Sequence, residues 1–338
     1  MKKPDTTIID QDWPAEELEE VHNCPYCGSE ERTIAYENVQ DWSFYCAPGK
    51  WTYWNCINCK SLYLNPRPKK EFIYKAYANY YTHSNENTSF IKKAKEKLRN
   101  ECYSYWLNTS IEPRLNLPKW TAFVLKIFKK RIQIPFALEQ LVALPKGRLL
   151  DVGCGSGKTL LLARQLGWEV TGLEIDPKAV EHAKKQGLNV ILGDYDKLEG
   201  IDQLYECVIC SHVLEHVYDP KKLMFLLKEK VSKAGMLILS LPNSRSYVLK
   251  FFGVNWRGLE APRHISIPAK KMLVEILKEQ YECIFSFNTI DNETYAESKN
   301  ISTFNKITQE KNYANIVGSA YLKNISENID IIKIYCKK

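Results

Sequence analysis

The stretch Leu149–Asp176, "LLDVGCGSGKTLLLARQLGWEVTGLEID", reads as a strand, a glycine turn, a helix and a second strand that ends in an acid. Leu149 to Val152 is a short apolar run of the buried-strand kind. Gly153, Gly155 and Gly157 let the backbone turn tightly and approach a ligand with no Cβ in the way. A helix beginning near Ser156 aims its free amides at that ligand, and Gly167 closes it. "WEVTGLEI" supplies the next strand, and Glu174 at its end can accept from both hydroxyls of a ribose. The alternation continues. Asp176-Pro177 starts a capped helix that Gly187 stops, "NVIL", "CVIC" and "GMLILSLPN" follow as strands, and Asp219-Pro220 caps a further helix. "YECIFSFNTI" and "IDIIKIYCKK" are the closing strands. Strands alternating with helices predict an α/β, Rossmann-like parallel sheet covered on both faces.

The glycine spacing is G-x-G-x-G, whereas dinucleotide sites use G-x-G-x-x-G. Asp151, two residues before the first glycine, suits a ligand with an ammonium group and would sit badly beside a pyrophosphate. Asp194 in "VILGDYD" ends a third strand and can accept from the exocyclic amine of adenine. Ammonium, ribose and adenine together describe S-adenosylmethionine; a Rossmann-type domain for another nucleotide is the competing reading. The motifs "LLDVGCGSG", "GLEIDP", "GDYD", "VICSHVLEHVYDP" and "LILSLPN", in that order, resemble the class I S-adenosylmethionine-dependent methyltransferases. The resemblance implies that Asp151, Gly153, Gly155 and Glu174 hold the methionine and ribose ends and Asp194 the adenine. It places Cys154, Gly157, Ile175 and Ser211 beside them, and inserts the last strand antiparallel.

Cys24-Pro-Tyr-Cys27 and Cys56-Ile-Asn-Cys59 form two C-x-x-C knuckles, a spacing that suits a closed, structural four-thiolate zinc site in a small ribbon. Disulfides and a redox pair are the alternatives. The chain carries 11 cysteines, an odd count, and shows no signal peptide, so a reducing, cytoplasmic compartment is expected. Cys46, between the knuckles, has no C-x-x-C partner and reads as an ordinary small side chain.

With 338 residues the chain exceeds one typical domain. The expected division is a ribbon over 1–65, a helical connector or cover over 66–145 broken at Pro113, Pro118 and Pro135, and a methyltransferase-like domain over 146–338. In the connector, "KWTAFVLKIFKKRIQ" (119–133) sets Trp120, Phe123, Val124, Ile127 and Phe128 at helical spacing against Lys126, Lys129, Lys130 and Arg131. Such a helix packs on a core or lies on an anionic membrane surface. No apolar run is long enough to span a bilayer. The net charge of +7 is compatible with an anionic substrate, a membrane or RNA.

Chemistry is expected outside the carboxyl ends of the strands. "SHVLEHVYDP" offers His212, Glu215 and His216, and "VNWRGLEAPRHISI" offers Trp256, Arg257, Arg263 and His264. Methyl transfer from a sulfonium is an in-line displacement that needs a base only when the acceptor must lose a proton, a task suited to histidine. The ribbon, the "NPRPKKEFIYKAY" connector and the "EH" and "PRH" motifs resemble a bacterial subgroup tied to surface polysaccharides and deoxysugars. That resemblance implies His216 and His264 as prospective bases, with His212, Trp256, Arg257 and Arg263 on a small-molecule acceptor such as a nucleotide-linked sugar, methylated at O, N or C. RNA methylation is the second reading, weakened by a fourth-strand loop that is not of the Asn-Pro-Pro-Tyr type and by the lack of a dense basic face between the knuckles. A non-catalytic scaffold with a vestigial cofactor domain is the third.

Overall fold

The computed structural model describes residues 6–78, 90–118, 121, 134–135, 137–281, 283–289, 292–304 and 331–338. The segment 119–133, expected to form a basic amphipathic helix, lies outside the described residues but for Thr121. In chain order the ribbon strands are Leu18–Glu19 (β1), Arg32–Val39 (β2), Trp51–Cys56 (β3), Leu62–Leu64 (β4) and Arg67–Pro68 (β5). Phe90–Trp106 (α1) and Leu138–Ala143 (α2) follow, then Arg148–Val152 (β6), Lys158–Gln165 (α3), Glu169–Glu174 (β7), Pro177–Lys185 (α4), Asn189–Leu192 (β8) and Tyr205–Ser211 (β9). Pro220–Lys230 (α5), Val231–Pro242 (β10), Tyr247–Phe252 (α6), Ser266–Ile267 (β11), Lys270–Lys278 (α7), Cys283–Thr289 (β12), Asn292–Phe304 (α8) and Ile331–Lys337 (β13) complete the described α-helices and strands.

Two compact units divide these elements. One joins Met1–Tyr80 to Cys210–Lys228 and Leu239–Lys338; the other joins Tyr81–Ile209 to Glu229–Ile238. The strand order of the seven-stranded sheet is β12-β13-β10-β9-β6-β7-β8. β6, β7 and β8 are parallel, with Asp151 opposite Gly172 and Glu174 opposite Leu192. The last strand, β13, pairs antiparallel with β12, as the closing strands were expected to do. The α/β, Rossmann-like reading of the sequence therefore holds.

In the second unit local chemistry sets the elements. Asp176 is the N-cap of α4, its side chain accepting from the Lys178 amide at 2.8 Å, with Pro177 at the first helical position. The amides of Gly153 and Cys154 both donate to the Leu173 carbonyl, which ties the glycine turn to β7. Gly157 has φ +84, and a Cβ there would stand 2.3 Å from Leu188 Cδ1. Gly172 is equally constrained: a Cβ would lie 2.5 Å from Cys154 Sγ and 2.8 Å from Leu160 Cδ1. Tyr103, Ile111 and Leu138 form a small core with Leu162 and Leu166 beside it, so α1 and α2 pack on α3, the helix behind the glycine turn. Ile111–Pro118 is irregular, around the Pro113 and Pro118 that were expected to break the connector.

In the first unit a four-stranded antiparallel sheet runs β11-β4-β3-β2. Its edge strand β11 arrives from far along the chain, Ser266 opposite Tyr63 and Ile267 opposite Leu62. Trp51, Tyr53, Leu62 and Leu64 from the ribbon share one apolar core with Leu249, Phe252, Trp256, Leu259 and Ile265. Among the described residues no helix is long and apolar enough to cross a membrane.

Gly172→Ala is expected to lower stability in urea by about 1–3 kcal/mol through overpacking. Gly200→Ala, where a Cβ meets nothing within 4 Å, should leave the midpoint nearly unchanged.

Candidate active site

The two cysteine knuckles are built alike. Cys24 N–H donates to Ser29 O and Gly28 N–H to Cys24 O; Cys56 N–H donates to Ser61 O and Lys60 N–H to Cys56 O. Both turns need a left-handed residue, supplied by Gly28 (φ +77) and Lys60 (φ +63). Cys24 and Cys59 bring their sulfurs to 3.5 Å, as do Cys27 and Cys56, and all four sulfurs lie within 4.8 Å of one another. Tetrahedral zinc with bonds of about 2.3 Å asks for sulfur–sulfur edges of ~3.8 Å, so the cluster fits that ion with no ligand position left over. Cys46 is buried elsewhere, near Ala76 O and Arg263.

Two cofactor candidates of the second unit, Glu174 and Asp151, adjoin the glycine turn. Glu174 accepts from Gly155 N–H at 2.7 Å with one oxygen, and from the amides of Ile175 and Asp176 at 2.9 Å with the other. Its half-buried carboxylate keeps further lone pairs for a hydroxyl-bearing ligand. A Cβ on Gly155 would meet nothing within 4 Å, so the turn is open on that side. Asp151 is buried below it; burial, with the Glu174 charge added, pushes its carboxyl up to about 8. Asp194 follows β8 as the N-cap of a short 3-10 turn, accepting from Tyr195 N–H at 2.7 Å. Cys154 is buried against Gly172, and Ile175 is 65% exposed. Ser211 ends β9 in the other unit.

The first unit holds a polar cavity of about 270 Å³, lined by His212, His216, Arg257, Glu260, His264 and Glu297, with Gly258, Thr294, Pro242 and Ile331 completing it. His216 and His264 stand edge to face, ring centroids 4.7 Å apart. His216 Nδ1 meets Arg263 O at 3.0 Å and Tyr77 Oη at 3.1 Å, and His264 Nδ1 meets Gly258 O at 2.8 Å. Burial pulls both imidazoles below the ordinary histidine range, His264 furthest. His212, half exposed with φ +54, places Nδ1 3.1 Å from Glu215 Oε1. Arg257 pairs with Glu297 at 2.5 Å and with Glu260.

Two expectations are corrected. Arg263 does not face the cavity: it is fully buried, held by both oxygens of Asp41, by Glu260 Oε1 at 3.1 Å and by Ala76 O at 2.8 Å. Burial drives the Asp41 carboxyl upward, and the adjacent Arg263 guanidinium outweighs it and holds the group below its usual range. Trp256 is likewise in the apolar core, because its indole fills the space beside Gly258. Sequence reasoning missed Asp41, Tyr77, Glu260 and Glu297. Glu260 had a local signal, being three residues before Arg263 in "GLEAPRH"; the others are remote in sequence and had none.

The ribbon grips the cavity loop directly. Tyr53 Oη lies 2.5 Å from the carbonyls of both Leu259 and His264, Ser61 Oγ accepts from Ala269 N–H, and Ser266 Oγ donates to Tyr26 Oη. The second knuckle also accepts from Ser244 Oγ at Lys60 O.

A family model described as a methyltransferase domain matches residues 119–281. That span holds the glycine turn and the His212–His264 residues and leaves the ribbon outside. The mitochondrial ubiquinone biosynthesis O-methyltransferase of Schizosaccharomyces pombe is 37% identical over 101 residues, 28% of this chain and 37% of that protein. The ubiquinone biosynthesis O-methyltransferase of Xanthomonas campestris pv. campestris is 33% identical over 110 residues, 30% of this chain and 46% of its own. The chain thus spans less than half the length of either relative. A crystal structure of a SAM-dependent methyltransferase from Archaeoglobus fulgidus, 20% identical, aligns over 70% of this chain and 98% of that one with a TM-score of 0.42.

Asp41→Ala leaves the Arg263 guanidinium buried with one carboxylate in place of two. Stability should fall by about 3–5 kcal/mol, read as a shift of the denaturation midpoint.

Proposed function

We propose that the protein is an S-adenosylmethionine-dependent methyltransferase acting on a small hydroxyl-bearing acceptor, a nucleotide-linked sugar or a glycan precursor. The observation that carries the acceptor class is the cavity wall, three imidazoles, a guanidinium and two carboxylates in about 270 Å³. Such a wall hydrogen-bonds a polyol and gives little apolar surface to a lipid tail or a stacked base. The family match and the O-methyltransferase names of the relatives support the transferred group.

Asp151, Gly153, Cys154, Gly155, Gly157, Glu174, Ile175 and Asp194 hold the cofactor in this reading, which supplies an electrophilic methyl group. Asp151 takes the ammonium and Glu174 the ribose hydroxyls, while the open side of Gly155 admits the ligand against the backbone. His212 and Arg257 position the acceptor. His216 and His264, each with Nδ1 turned to a backbone carbonyl, keep the other ring nitrogen as a lone pair for the acceptor side of the cavity. The four-thiolate zinc is structural and acts through the ribbon's hold on the His264 loop. A reducing, cytoplasmic setting belongs to this reading and rests on the cysteine content and the paired C-x-x-C spacing.

The test is incubation of the full chain with methyl-labelled cofactor and, in parallel, nucleotide-sugars, small phenols and RNA. Label in a nucleotide-sugar is the expected result; label in RNA alone would overturn the acceptor class. A second prediction concerns protons. The buried Asp151 carboxyl is protonated below about pH 8 in the free protein, and an ammonium ligand favours its ionised form. Cofactor binding below that pH should expel a proton, and affinity should climb with pH and level off above 8. Calorimetry in buffers of different ionisation enthalpy reads this directly, and Asp151→Asn should flatten the profile.

A further inference from the structure

Two imidazoles and a buried carboxylate meet at one wall of the cavity. His216 Nδ1 faces Arg263 O at 3.0 Å and His264 Nδ1 faces Gly258 O at 2.8 Å. A carbonyl oxygen only accepts, so both rings carry their proton on Nδ1 and Nε2 is a bare lone pair. One nitrogen of each imidazole and a carboxylate oxygen of Glu215 lie within 4.8 Å of one another, His264 Nε2 standing 4.0 Å from Glu215 Oε1. The Glu215 side chain is fully buried, and its Oε2 has no hydrogen-bond partner among the described residues. An orphaned buried carboxylate oxygen is costly. The neighbouring cations are committed elsewhere, Arg263 to Asp41 and Glu260, Arg257 to Glu260 and Glu297. His212 Nδ1 lies 3.1 Å from the other oxygen, Oε1.

We propose that Glu215, His216 and His264 bind a divalent first-row metal ion. Two imidazoles and one carboxylate are a donor set for zinc, manganese or ferrous iron, and the orphaned oxygen is the atom such an ion would satisfy. The carbonyls of Arg263 and Gly258 act as the outer partners that fix tautomer and ring orientation. Unlike the four-thiolate cluster, three ligands leave coordination positions open, and His216 and His264 both line the cavity. The consequence for catalysis rests on the acceptor reading above. A hydroxyl of the acceptor completes the coordination sphere, the ion acidifies it, and its proton leaves to water; the two imidazoles then serve as ligands and not as bases.

The experiment is metal analysis of the full chain after mild chelation and reloading, combined with a cobalt(II) titration. The expected result is two metal ions per chain. One gives the intense thiolate-to-cobalt charge-transfer band of the ribbon; the second gives only weak ligand-field bands. Glu215→Gln and His264→Ala should each abolish the second signal and keep the first, which reports that the ribbon is still folded. A wild-type chain that takes up a single ion in excess metal overturns the proposal without reference to any variant. Methyl transfer assayed on the same samples separates the two readings. Two ions with no transfer to any acceptor would sink the methyltransferase function alone, and transfer by a chain with one ion would sink the metal site alone.

Discussion

The buried guanidinium of Arg263 is the constraint on which the first unit is organised. A charge removed from water this completely persists only with close counter-charges, and Asp41 from the ribbon and Glu260 from its own loop supply them. Asp41 is itself fixed by the amides of Phe44, Cys46 and Ala47, so the network ties a ribbon loop, the Ala76 carbonyl and the 257–264 loop into one piece. His264 follows Arg263 immediately, and the Arg263 carbonyl is the partner of His216. Both histidines are therefore positioned by the Arg263–Asp41 pair, neither member of which lines the cavity. The ribbon adds a second hold through Tyr53, Ser61 and Lys60, so the cysteine knuckles are tied to the same loops.

The second unit solves a different problem, the approach of backbone to ligand. Gly155 leaves its ligand side open, while Gly157 and Gly172 are needed for packing behind the turn, where Leu188 and Cys154 would meet a side chain. Glu174 accepts from the Gly155 amide, so the acid proposed to take a ribose also braces the turn. Burial, with the Glu174 charge added, pushes the Asp151 carboxyl near the end of β6 up to about 8, so a cation placed beside it would favour its ionised form.

What was legible in the sequence was what is encoded locally. The strand–turn–helix of Leu149–Asp176, the Asp176-Pro177 cap and the two knuckles each depend on residues a few positions apart, and all appear as read. What was not legible depends on distance along the chain. β11 is two residues long and has no periodicity to announce it, yet it completes the ribbon sheet. Arg263 was expected on the acceptor because its partner, Asp41, is far away in sequence and unremarkable there. Trp256 was expected there too because an exposed and a buried indole read alike in one sequence; the space beside Gly258 decides it. Gly172 sits inside a strand pattern, where its role appears only once Cys154 is in place.

The account stands on cofactor recognition by the glycine turn, and the most direct measurement is calorimetric titration of the full, zinc-loaded chain with S-adenosylmethionine and S-adenosylhomocysteine, alongside Glu174→Ala. Saturable binding at one site per chain, on the order of micromolar, is expected for the wild type, with binding lost in Glu174→Ala while its unfolding transition is retained. A wild-type chain that binds neither compound, or a variant that binds as tightly as wild type, would contradict it.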